Sequence, residues 1–143
     1  MIHNLKGEMK KKTYPLIIAG KKQQFARAVV VGDLVFLSGC SGRLEETGEV
    51  GSNNLPDQMK TAMDKIRTAL TEAGTSMENI IKTTIYLKNI ADYNLMRQVE
   101  REYWQKYAPR LLEEPPASTT VQPVSLSSPE KLIEIDVIAI VPK

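Results

Sequence analysis

Histidine and cysteine are nearly absent, because the 143 residues hold one of each, His3 and Cys40. A lone thiol cannot close an intrachain disulfide or build a multi-thiolate metal site, and it suits a reducing compartment. A lone histidine close to the N-terminus removes metal sites made of several histidines and histidine acid–base chemistry within the core. No apolar run approaches the roughly 18 residues of a membrane-spanning helix, and residues 1–12 lack the apolar segment of a secretory signal. A cytoplasmic protein without a membrane partner is therefore expected. Charge of one sign is also missing. A formal net charge of +2 and a pI near 8.6 do not call for nucleic acid as a partner. The basic run Lys10, Lys11 and Lys12, with Lys21 and Lys22 beyond it, reads as a solvated surface. No constellation of residues requires a metal or an organic cofactor.

What the sequence does contain is the material of one globular core, with 42% hydrophobic and 25% charged residues in a length that suits a single domain. The expected organisation is a flexible N-terminal tail over residues 1–15 and one domain over 16–143. The runs 28–31 and 34–38 are rich in β-formers, and Gly32-Asp33 between them signals a tight hairpin with glycine at positive φ. Residues 39–54 lack periodicity and read as an exposed loop. From Leu55 the apolar positions Met59, Ala62, Met63, Ile66, Ala69 and Leu70 recur at steps of three and four. Asn54 is placed to cap this helix and Gly74 to end it.

Residues 79–87 alternate, placing Ile81, Thr83, Ile85 and Leu87 on one strand face and Lys82, Thr84 and Tyr86 on the other. A second helix over about 90–107 sends Tyr93, Met96, Val99, Tyr103 and Trp104 inward and Arg97, Glu100, Arg101 and Lys106 outward, and the prolines at 109, 115 and 116 close it. Two strand-like runs, 117–124 and 131–141, complete the order β-β-α-β-α-β-β, with a further strand allowed near 16–19. Helices between strands predict an α+β fold, a mixed sheet carrying both helices on one face.

The C-terminal stretch from Pro115 to Val141 holds the candidate chemistry. In the last strand Glu134 and Asp136 share a face with Leu132, Ile138 and Ile140. Two acids on an apolar face mark either a wall against a pocket or second subunit, or the wetter end of a half-exposed strand. The turn Pro115-Pro-Ala-Ser-Thr-Thr-Val121 clusters three hydroxyls, Ser118, Thr119 and Thr120, which suit a small anion or carboxylate, or simply a strand edge.

Several motifs in one order resemble the reactive-intermediate deaminase family, also called RidA, YjgF-like or L-PSP endoribonuclease: Val30-Val-Gly-Asp-Leu-Val-Phe-Leu-Ser-Gly39, Glu72-Ala-Gly74, Ile80-Ile-Lys-Thr-Thr-Ile-Tyr-Leu87, Asp92-Tyr93, Pro116-Ala117 and Ile133-Glu-Ile-Asp-Val-Ile-Ala139. The resemblance runs from Phe25 to Val141. It implies a chorismate-mutase-like (YjgF-type) fold, a homotrimer with three clefts each lined by two subunits, and hydrolysis of reactive enamines and imines with release of ammonia.

Carried over by position, the resemblance makes Asp136 the acid that positions water, helped by Glu134. It makes Phe25 the counterpart of a cleft tyrosine and Arg97 that of a cleft asparagine, with Ser38 and Gly39 forming the pocket floor. Cys40 stands where glutamine is frequent. The family's carboxylate-gripping arginine falls on Ser118, followed by Thr119 and Thr120. A hydroxyl carries no charge and cannot replace a bidentate guanidinium, so Arg97, or else Arg27 or Arg43, becomes the candidate cation, the alternative being that Arg97 is a solvated helix arginine. Around Cys40, residues 119–121 and residues 132–135 the sequence is nearer the 2-aminomuconate deaminase branch. The expected function is that of a diverged deaminase acting on a small carboxylate metabolite. The alternatives are a trimer that binds such a ligand without turning it over and, as a minor reading, an endoribonuclease.

Overall fold

The computed structural model describes residues 10–143. The chain opens with a long antiparallel hairpin, β1 (Lys11–Ile18) and β2 (Lys21–Val31), followed by β3 (Leu34–Leu37) and the two-residue β4 (Cys40–Ser41). Helix α1 (Leu55–Glu72), strand β5 (Ile80–Leu87), helix α2 (Tyr93–Tyr107), the single turn α3 (Arg110–Glu113), β6 (Ala117–Val121) and β7 (Ile133–Ile140) complete it. The strands form one mixed sheet in the order β1-β2-β3-β7-β5-β6, with β4 pairing β7 beyond the end of β3. Every pairing is antiparallel except β5 with β6, which the α2 crossover makes parallel. This is the expected α+β architecture.

Local chemistry explains the elements. Gly32 takes φ 58° in the two-residue turn between β2 and β3, where a side chain would be strained. The Asn54 side chain accepts from the Asp57 backbone N–H at 2.9 Å, and Pro56 occupies the first turn of α1, where its missing N–H has no partner to lose. The apolar stripe of α1 then lies on the sheet: Met59, Ala62, Ile66, Ala69 and Leu70 join Val35, Ile85, Leu87, Ile133, Ile135, Val137 and Ala139 in one core. Each large aliphatic side chain there contributes about 1.5–3 kcal/mol. Helix α2 packs against α1 through Met96, Tyr103 and Trp104, so both helices cover one face and leave the other open.

Five local expectations change. Tyr93, expected to point inward from the second helix, sits at its first residue and is 39% exposed. Residues 11–15, expected in a flexible tail, lie in β1, because the eleven-residue β2 offers their backbone a partner along its whole length; residues 1–9 lie outside the described residues. Ile81 is 42% exposed rather than inward, because a β-bulge at this residue lets Ile80 and Lys82 oppose the consecutive residues Ala139 and Ile138. Glu100 is not on the outer face of α2 but 5% exposed. The stretch read as a loop is pinned to the fold by β4 and by an Arg43–Val50 bridge, and Ser41 is buried.

Candidate functional site

Strands β3 and β4 run along the same neighbour, β7, but between them the chain steps out of register at Ser38-Gly39, opposite Asp136 and Val137. The Ser38 hydroxyl fastens the step by donating to the Ala26 carbonyl. A Cβ on Gly39 would lie 2.8 Å from Glu134 Cδ and 3.1 Å from Asp136 Oδ1. The bare Cα therefore lets the two acids pack over the backbone of the neighbouring strand.

Concave surface opens on both sides of this step. A cleft of about 910 Å³ lies between the β1–β2 hairpin, the 43–50 loop and the segment before β7; Phe25, Ser38, Gly39, Cys40 and Glu134 line it with Arg27, Arg43 and Lys65. A smaller depression of about 270 Å³ shares Ser38 and Gly39 and adds Asp136, Lys82 and Thr84. The structure thus brings together Phe25, Ser38, Gly39, Cys40, Glu134 and Asp136, six of the ten residues singled out in the sequence. Thr119 joins them on the open face, where its hydroxyl accepts from Lys82 Nζ at 3.1 Å.

The remaining three stand apart. Ser118 pairs with the buried Thr83, and its hydroxyl accepts from that of Thr83 at 3.0 Å, so Ser118 and Thr120 face the helix side of β6. Arg97 reaches them from α2, its Nη2 donating to Ser118 Oγ at 3.0 Å and Thr120 Oγ1 at 3.4 Å. The same guanidinium donates from Nη1 to Glu100 at 2.8 Å and from Nε to the Tyr93 hydroxyl at 3.1 Å. Within one chain the sheet separates Arg97 from Asp136. The alternative cation Arg27 is committed as well, to Glu45 and, at 3.7 Å, to Glu72.

The environment tunes the charged groups. Glu45 hydrogen-bonds Arg27 and raises its pKa. Burial pushes the Cys40 thiol up to about 11, so it is protonated at neutral pH and is a poor nucleophile. The residue as a whole keeps intermediate exposure, but the pKa follows the dense packing around the sulfur. Burial lowers the pKa of Lys65, whose Nζ donates to the Arg43 carbonyl at 2.7 Å. The Tyr86 hydroxyl donates to Asp136 at 3.0 Å and fixes that carboxylate; the contact raises the tyrosine's own pKa. Among the described residues no group of three or more His, Cys, Asp or Glu side chains converges as a metal site.

Lys82, Tyr86 and Lys65 escaped the sequence reading. The alternation of β5 placed Lys82 and Tyr86 on one face with Thr84, but only the register of β5 on β7 shows that Glu134 and Asp136 share it. Lys65 lies in α1 between the apolar positions, where no motif marks it.

The fold and the step at Ser38-Gly39 define a class: a single-domain α+β protein with one helix-covered mixed sheet and an acid-lined hollow on its surface. The model of the family described as Endoribonuclease L-PSP matches residues 19–141, and the chain belongs to that family. A RutC family protein of Pyrococcus abyssi is 33% identical over 115 residues, 80% of this chain and 84% of the relative. The chloroplastic Reactive Intermediate Deaminase A of Arabidopsis thaliana is 32% identical over 80% of this chain and 57% of its own length. The 2-iminobutanoate/2-iminopropanoate deaminase of Homo sapiens is 27% identical over 59% of this chain and 62% of its own. Among solved structures, Escherichia coli TdcF with bound serine superposes with a TM-score of 0.77 at 24% identity, covering 92% of this chain and 98% of TdcF. That likeness establishes the fold.

Proposed function

We propose that this protein is a diverged reactive-intermediate deaminase that binds a small carboxylate bearing an enamine or imine and hydrolyses it, the C=N carbon taking oxygen from water while nitrogen leaves as ammonia. The observation that carries the reading is the seating of Glu134 and Asp136 over the bare Cα of Gly39, at the junction of two hollows. A carboxylate held there, with Tyr86 fixing Asp136, can orient a water and take its proton as the C–O bond forms. Phe25, Ser38 and Cys40 form the walls. Relatives that bear deaminase names support the reaction class.

The reading includes assembly as a homotrimer whose clefts combine two subunits. Leu34, Phe36, Ile138 and Ile140 leave an apolar strip on the open sheet face, which a second copy would cover. In such a cleft Arg97, Ser118 and Thr120 of one subunit meet the acids of another. A specific observation favours a second reading, a trimer that binds the ligand without turnover: Ser118 stands where the family's arginine is expected, and Arg97 is already paired with Glu100. A ribonuclease reading has no histidine among the described residues to draw on.

Enzymatically generated 2-aminoacrylate and 2-aminomuconate distinguish the first two readings. Ammonia release faster than in buffer with either compound supports the deaminase. Binding of the corresponding oxo acids with no acceleration supports the binding module. Light scattering reads the assembly, a trimer having three times the 16.0 kDa chain mass.

A further inference from the structure

We infer that the carboxylate of the ligand is held by Lys82 with the hydroxyls of Thr84 and Thr119, in the open-face depression beside Asp136, and not by the guanidinium of Arg97. The inference rests on the deaminase reading for the identity of the ligand, a 2-imino or 2-oxo acid, but not for the existence of the anion site.

Lys82 is aimed by the backbone. The bulge at Ile81 re-sets the alternation of β5, so that Lys82 opposes Ile138 and projects from the open face. Its Nζ is held by three neutral oxygens: it donates to the Thr83 carbonyl at 3.0 Å, Thr119 Oγ1 at 3.1 Å and Thr84 Oγ1 at 3.4 Å. No carboxylate among the described residues pairs with it, although seven ion pairs form elsewhere. The two threonine oxygens use acceptor capacity on the ammonium, so their O–H bonds point away from it, and neither hydroxyl donates to a group among the described residues. Lys82 and Thr84 line a 270 Å³ hollow and Thr119 adjoins them through its contact with Lys82, so one uncompensated cation and two hydroxyl donors meet there, which is the chemistry of an oxyanion site.

The partner across that hollow fits the same ligand. Asp136 opposes Thr84, two residues along β7 from the Lys82–Ile138 pair, a diagonal separation of about 7–8 Å between backbones. A protonated 2-imino acid carries a carboxylate on one carbon and a cationic C=N on the next. Lys82 faces the first and Asp136 the second, leaving the imine carbon beside the acid that orients water. Arg97 stands behind the sheet of its own chain, and a copy brought to the cleft by a second subunit still has its charge committed to the buried Glu100.

Carboxyl-labelled 2-oxobutanoate is the probe, titrated by NMR and calorimetry, with neutral 2-butanone as the control lacking the carboxylate. Lys82→Met is expected to weaken 2-oxobutanoate at least tenfold, Thr119→Val by several fold, and Lys82→Arg to recover part of the affinity. Butanone should not distinguish the variants, and added salt should weaken the acid alone. Unchanged affinity in a folded Lys82→Met protein overturns the inference. Should that variant not fold, unchanged affinity in Thr119→Val overturns it, as does failure of the parent to bind the acid. Lys82-dependent binding without ammonia release sinks the deaminase reading and leaves the anion site standing. Ammonia release with an unaltered KM in Lys82→Met does the reverse.

Discussion

Replacing Arg97 by methionine separates a solvated helix arginine from a partner that the fold requires. The Glu100 side chain is 7% exposed, and among the described residues its one hydrogen-bonding partner is Arg97, at 2.8 Å. Removing one member of a fully buried pair costs about 3–5 kcal/mol because the other charge is stranded. The Arg97 side chain is 23% exposed, so water entering the vacated space recovers part of this, and about 2–3 kcal/mol is expected. For a chain of this size each kcal/mol moves the midpoint by about 3–4 °C, which gives a fall of roughly 6–12 °C at pH 7.5.

The loss should depend on pH in a defined direction. Burial already raises the Glu100 pKa against the opposing pull of Arg97, and without the arginine it rises further. An acid whose folded pKa lies above its unfolded value destabilises the fold once it is ionised, and protonation relieves that penalty. Arg97→Met should therefore regain stability relative to the parent as pH falls from 7.5 toward 5, and Arg97→Met/Glu100→Gln should recover most of the loss at pH 7.5. Melting followed by circular dichroism at both pH values reads all three. Equal midpoints for parent and Arg97→Met at pH 7.5, with parallel pH profiles, refute the buried-pair argument.

Gly39→Ala should cost only about 1 kcal/mol, because the atoms it meets belong to movable carboxylate side chains; yet displacing them by about 1 Å should cut ammonia release roughly 100-fold, as steady-state assays beside a thermal melt would show. Gln58, 1% exposed, donates to the Ser52 and Glu130 carbonyls and accepts from the Leu132 N–H; Gln58→Leu strands three backbone groups at about 1–3 kcal/mol each where they stay dry, and should lower the urea midpoint sharply. Cys40, its thiol pushed up to about 11, should react with a thiol reagent at pH 8 far more slowly than free cysteine and at the ordinary rate once unfolded in urea.

Much of the fold was legible because its signals are local. The Gly32 turn, the Asn54 cap, the periodicity of α1 and the alternation of β7 each arise from a few adjacent residues whose backbone preferences and apolar spacing act without help from the rest of the chain. Motif order and residue types also led to Phe25, Ser38, Gly39, Cys40, Glu134 and Asp136. What sequence could not supply was anything that depends on which strands become neighbours. That β5 lies against β7 with Thr84 opposite Asp136 places Lys82 and Tyr86 beside the acids, and the parallel pairing of β6 sends Ser118 and Thr120 to one side of the sheet and Thr119 to the other. A bulge of one residue turned Ile81 outward, and the packing of α2 on the core buried Glu100. The sequence by itself determined the elements and the acids, because those are properties of short segments. Only the tertiary structure decided which cation shares a face with those acids, because strand register is set by long-range pairing that no local pattern encodes.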